Sequence, residues 1–151
     1  MDYSRLVDTL TLGSEVVAKT IYVETRDTAD QTGQRNFSDF FKRKNFTVVS
    51  KPIKVIKRED GESLNKANFD VEIATDVSRR VWRRDCSEII LFSGDSDFAY
   101  LLDMVKELDI KVTIVSTLAS ISKELKERAN KLILLDELTV EDYTFIKKEK
   151  R

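Results

Sequence analysis

Four apolar residues in succession, Ile89-Ile90-Leu91-Phe92, constrain the fold more than any other feature of the chain. A half-buried strand alternates apolar and polar residues. An unbroken apolar run suits a strand covered on both faces, as in a parallel sheet flanked by helices. A second run, Val112-Thr113-Ile114-Val115, follows after a helix's length of chain. Between them Phe98, Leu101, Leu102, Val105 and Leu108 form an apolar stripe at helical spacing. The alternation extends both ways. Residues 16–23 read as a strand, and 35–44 as a helix carrying Phe37, Phe40 and Phe41. Residues 46–56 read as a strand interrupted at Pro52, and 59–62 as a turn. Residues 68–84 read as a helix with Ile73, Val77 and Val81 on one face, 120–130 as a short helix and 132–135 as a last strand. Strands and helices in strict alternation argue for an α/β fold with a mostly parallel sheet and helices on both faces. The chain of 151 residues is the length of one domain, and the tail 147–151 is expected to fray.

Composition narrows the chemistry. The chain has no histidine and one cysteine, Cys86. That excludes Ser-His-Asp and Cys-His catalysis, His-ligated metals, an intrachain disulfide and a Cys-cluster zinc site. An enzyme of this composition works with carboxylates, Lys/Arg, hydroxyls or a bound cofactor. With 26 basic and 27 acidic residues the net charge is −1, so a globally basic nucleic-acid binder is not indicated. Basic residues nonetheless cluster at 42–44, at Arg79-Arg80 with Arg83-Arg84, and at 147–151; such clusters are commonly solvated helix ends. No apolar run reaches membrane-spanning length, and the first residues lack a basic-then-apolar signal. A cytoplasmic protein with no membrane contact is expected.

In open α/β sheets ligands bind beyond the carboxyl ends of the strands. The turn Ser93-Gly94-Asp95-Ser96-Asp97 sits at that edge, directly after the apolar run. Two carboxylates in one short turn repel unless a cation or several N–H donors compensate. A hard divalent ion suits such an all-oxygen site. Helix capping by Asp95 or Ser96, with Asp97 in the first turn, is the alternative. The helix at 68–84 adds Asp70 and Asp76, each three positions from Ile73 and so close to the buried stripe on opposite sides. Asp70 also reads as a first-turn acid, and Asp76 as a salt-bridge partner of Arg79, Arg80 or Lys66.

Lys66-Ala67-Asn68-Phe69-Asp70-Val71-Glu72-Ile73-Ala74-Thr75-Asp76 resembles a motif of NYN domains, and Ser93-Gly94-Asp95-Ser96-Asp97-Phe98 resembles a second. Leu101, the Lys111–Val115 stretch, Ser120, Leu125, Ala129 and Leu135-Asp136 follow the same pattern, so the resemblance spans about 16–138. It implies a PIN-like three-layer α/β/α fold and a divalent-metal-dependent ribonuclease site. By position, Asp76, Asp95 and Asp97 are the implied Mg²⁺ or Mn²⁺ ligands, with Asp70 nearby as a further catalytic acid. The resemblance implies that Ser93 and Ser96 support the turn or contact a phosphate, that Lys66 sits near the site mouth, and that RNA is the partner; Arg79 and Arg83, at the end of the helix, are further candidate substrate contacts.

One part of the family pattern has no counterpart. Its opening central strand ends in an acid, whereas only Met1 precedes Asp2 here. An upstream strand outside this sequence, a shortened and weak or inactive member, and a strand supplied by another subunit are three competing explanations. All three predict low monomer stability, direct pairing of residues 16–23 with 89–92, or self-association into a homo-oligomer. Two further functional classes stay open: a non-catalytic RNA binder using Arg79, Arg80, Arg83 and Arg84, and a protein-assembly module. Trp82 and Tyr100 are expected to be packing residues rather than base-stacking platforms, and Cys86 a structural thiol.

Overall fold

Strand pairing in this chain follows from which stretches have partners, and the helices follow from which faces remain apolar. The computed structural model describes residues 3–26, 31–57 and 63–138, with backbone alone for 55–57 and 63–66. The tail 147–151 lies outside them. The chain divides into two units, Met1–Phe69 and Asp70–Arg151.

In the first unit, α1 (Tyr3–Leu10) buries Leu6. A parallel βαβ unit follows: β1 (Thr20–Thr25), α2 (Thr32–Arg43) and β2 (Thr47–Pro52), with Thr20 opposite Thr47 and Thr25 opposite Pro52. Phe41 of α2 is buried and meets Phe46 edge-on at 5.1 Å and Phe37 at 4.8 Å. The strand expected at 16–23 therefore begins later. Val16 and Val17 precede the first residue of β1, have no ladder partner and are exposed. Pro52, lacking an N–H, closes β2, and Ile53 N–H donates to Thr25 O at 2.9 Å. The stretch 46–56 is thus two strands, because β3 (Lys54–Lys57) turns to pair antiparallel with β4 (Ser63–Lys66). The turn expected at 59–62 lies outside the described residues.

The second unit contains α3 (Asp70–Arg83), β5 (Glu88–Phe92), a 3₁₀ turn (Ser96–Phe98), α4 (Ala99–Glu107), β6 (Lys111–Ser116), α5 (Lys123–Arg128) and β7 (Lys131–Leu134). β5, β6 and β7 are parallel and lie in that order, as the two apolar runs require. β6 is central and almost fully buried from Val112 to Ser116. Its core partners are Val81 of α3, Leu102 and Val105 of α4, and Leu125 of α5, each at most 1% exposed. α5 is shorter than the expected 120–130 because Ser120 and Ile121 fold back on Thr117 O. Ser122 then caps the helix, its Oγ accepting from Leu125 N–H at 3.4 Å.

The fold is mixed α/β of PIN-like class, with parallel strands joined through helices. Among the described residues β5 pairs with β6 alone and β1 with β2 alone. Direct pairing of residues 16–23 with 89–92 is not among the described ladders. No described helix is long and apolar enough to cross a membrane.

Candidate metal centre

The carboxyl edge of β5 is held in place by a glycine with no room for a side chain. A Cβ on Gly94 would run into the carbonyl of Ser120 and come within 2.8 Å of the Ser116 hydroxyl. This close approach seats the turn after β5 against the loop after β6. Ser122 N–H donating to Gly94 O at 2.9 Å fastens it. The β6 loop is itself tied down, since Thr117 and Ser120 hydroxyls bond at 2.9 Å and Leu118 N–H donates to the Asp136 carboxylate at 2.6 Å. Ser120 and Asp136 thus fix the rim rather than line the carboxylate group.

The turn residues are then fixed one by one. Ser93 Oγ accepts from Asp95 N–H at 3.1 Å, and Asp95 Oδ1 accepts from Asp97 N–H at 3.0 Å. Asp95 is therefore the N-cap of the 3₁₀ turn, as the capping reading requires. Capping occupies one of its oxygens and leaves Oδ2 available. Phe98, 3% exposed, anchors the far end of the turn in the core. Asp95 and Asp97 are exposed, and neither has an ion-pair partner among the described residues.

Asp70, the first residue of α3, meets them. One carboxylate oxygen from each of Asp70, Asp95 and Asp97 lies within 4.8 Å of the others. Asp76 is not a member of this group. It lies six residues on, about 9 Å along the helix axis and about 120° round it from Asp70. Its carboxylate faces Arg79 at 3.3 Å, the ordinary i,i+3 pair. The acid that joins the turn is therefore the helix's first residue, not the one six positions later. Sequence spacing treats the two alike; only the path of the chain entering α3 separates them.

The remaining expected site residues divide in the same way. Ser93 supports the turn, and the Ser96 hydroxyl is exposed. Arg79 is engaged by Asp76, while Arg83 and Arg84 are exposed with no ion-pair partner among the described residues. Lys66 ends β4, and its side chain is outside the described part of the chain. Cys86 is half-buried. Burial and the neighbouring Asp85 carboxylate push its thiol up from the ordinary value, partly offset by Arg80, which pairs with Asp85 at 3.0 Å.

The donor set fits a hard divalent cation. Carboxylate oxygens are what Mg²⁺ and Mn²⁺ prefer, and an octahedral ion at about 2.0–2.1 Å holds its ligands roughly 3–4 Å apart. Rotation of the exposed Asp97 carboxylate narrows the observed spread.

Comparison with known proteins identifies the family and the fold. The family profile of the NYN domain matches residues 1–136. The chain belongs to the NYN domain family. This NYN domain is 32% identical over 124 residues to the low amplitude and bright protein LabA of Synechococcus elongatus, covering 81% of the present chain. It spans 63% of that relative's length. It also superposes on the crystal structure of a protein of unknown function from Vibrio parahaemolyticus, with a TM-score of 0.73 and 28% identity. That match covers 90% of this chain and 79% of the other. NYN domains are PIN-like nucleases, and this one carries three adjacent acids at the carboxyl edge of its sheet.

Proposed function

We propose that this NYN domain is a divalent-metal-dependent ribonuclease that hydrolyses phosphodiester bonds at the Asp70–Asp95–Asp97 group. One observation carries the reading: in a PIN-like domain, acids from two separate elements, α3 and the turn after β5, converge to within 4.8 Å. When bound, Mg²⁺ or Mn²⁺ supplies acidification of a coordinated water and stabilisation of charge on the phosphoryl oxygens.

The protein's own groups prepare that centre. The Asp97 N–H holds Asp95 Oδ1, so Asp95 presents its other oxygen in a fixed direction. The Ser93 hydroxyl holds the Asp95 N–H and keeps the turn from relaxing. Asp70 adds the third oxygen from a helix N-terminus, where the helix dipole favours negative charge. Ser96 offers an exposed hydroxyl to a phosphate, and Arg83 an exposed guanidinium with no ion-pair partner among the described residues. Arg79 meets Asp76 through Nη1 alone and keeps further N–H donors for a phosphate. Lys66 is assigned to substrate by the family motif alone.

Labelled single-stranded RNA incubated with Mn²⁺ or Mg²⁺ tests the reading. Cleavage is expected, with loss in chelator and in Asp95→Asn. Cleavage that survives chelation, or is indifferent to Asp95→Asn and Asp97→Asn, would overturn it. RNA binding without turnover in the intact protein would support the non-catalytic alternative.

A further inference from the structure

The expectation that Trp82 and Tyr100 pack into the protein is not met. Trp82 is 72% exposed and Tyr100 84%. Both line a groove of about 320 Å³ between α3 and α4 that also contains Asp70 and Asp97. On α3 the lining residues Asp70, Ala74, Ser78 and Trp82 recur at every fourth position. They form one helical face about 18 Å long. The groove therefore starts at the carboxylates and ends at the tryptophan, with Tyr100 on the opposing helix.

Three properties select the occupant. Away from Asp70 and Asp97 the walls are small or apolar, which suits flat rings better than charged side chains. Large aromatic faces left in water are costly surface that stacking would cover. The sequence continues from Trp82 into Arg83 and Arg84, exposed cations without an ion-pair partner among the described residues. A ligand with planar π-faces and a negative backbone matches all three; an acidic peptide would leave the aromatics unused.

We infer that this groove is a base-stacking subsite, in which Trp82 and Tyr100 hold unpaired bases of a single-stranded nucleic acid whose phosphates meet Arg83 and Arg84. The inference rests on the nuclease reading for the direction of the strand, which then passes from the carboxylates along α3. Its energetic basis is sequence-tolerant, because every base has a π-face. The site discriminates single strands from duplexes, whose bases are already stacked.

Trp82 is the protein's sole tryptophan, so its emission reports the groove alone. The experiment uses the whole chain in chelator, where cleavage is not required, with single-stranded oligoribonucleotides, a duplex of the same sequence, and an abasic ribose-phosphate oligomer of equal length. Single strands are expected to quench Trp82, while the duplex and the abasic oligomer leave its emission unchanged. Trp82→Ala and Tyr100→Ala are each expected to weaken single-strand binding by roughly 5- to 150-fold. Joint Arg83→Gln and Arg84→Gln replacement should lower the salt dependence by about 0.7 for each phosphate no longer neutralised. Asp95→Asn, outside the groove, keeps the quenching while losing cleavage, so the two readings fail separately. Equal quenching by the abasic oligomer, or unchanged affinity in Trp82→Ala and Tyr100→Ala, would overturn the inference. So would an emission shift that depends only on protein concentration, which would assign the groove to a second copy of the chain.

Discussion

Gly94→Ala is the smallest substitution that tests how the site is held. The added methyl would run into the Ser120 carbonyl and come within 2.8 Å of Ser116 Oγ. Neither neighbour is a flexible side-chain tip: one is backbone, and the other belongs to a residue 6% exposed at the end of the central strand. The turn or the loop must move. Overpacking of this kind costs about 1–3 kcal/mol. The displacement also strains the Ser122 N–H bond to Gly94 O, worth about 1 kcal/mol. Together these destabilise the fold by about 2–4 kcal/mol. For a chain of this size that lowers Tm by about 4–16 °C. Thermal unfolding followed by circular dichroism measures it. Because the turn carries Asp95 and Asp97, metal affinity should fall even at temperatures where the variant is folded. Isothermal titration with Mn²⁺ reads that second effect. A Gly94→Ala protein with unchanged Tm and unchanged Mn²⁺ affinity would refute the claim that this close approach positions the acids.

Other outcomes follow from single features. Leu125→Ala empties a fully buried position among α4, α5 and β6 and should cost about 2–5 kcal/mol in denaturant unfolding, leaving the carboxylates untouched. Asp76→Asn should leave RNA cleavage near wild type, whereas Asp95→Asn should lower it by about 10²-fold or more, as initial rates will measure. Arg84 follows α3 at φ 53°, so Arg84→Gly should raise stability by up to about 1 kcal/mol while weakening RNA binding. Cys86 has its thiol pushed above the ordinary 9.0, so the folded state keeps the proton longer than the unfolded state does. Its contribution is complete below the unfolded value and disappears as pH rises through the folded one. Denaturation midpoints at pH 8 and pH 10 should therefore converge more in Cys86→Ser than in wild type.

The parallel second unit is legible in the sequence because its strands carry their burial in their composition. The runs 89–92 and 112–115 need cover on both faces, which helices flanking a parallel sheet supply. The first unit is harder. Val16 and Val17 are good strand formers, yet strand formation needs a partner, and the β2 ladder begins only opposite Thr20. β4, Ser63–Lys66, has few β-formers and exists because β3 folds back on it. α1 is short and easily passed over, although Tyr3, Leu6, Val7 and Leu10 have helical spacing. At the site, the turn 93–97 is recognisable from adjacent acids and their place after an apolar strand. The choice between Asp70 and Asp76 is not, because both flank the same stripe. The exposure of Trp82 and Tyr100 is also hidden, since an aromatic on a helix reads as packing until its neighbours are known.

The most direct trial of the central claim is an anomalous difference map from crystals of the protein soaked in Mn²⁺. One peak is expected at about 2.0–2.3 Å from carboxylate oxygens of Asp70, Asp95 and Asp97. A map without density there, or with the ion at Asp76 instead, would contradict it.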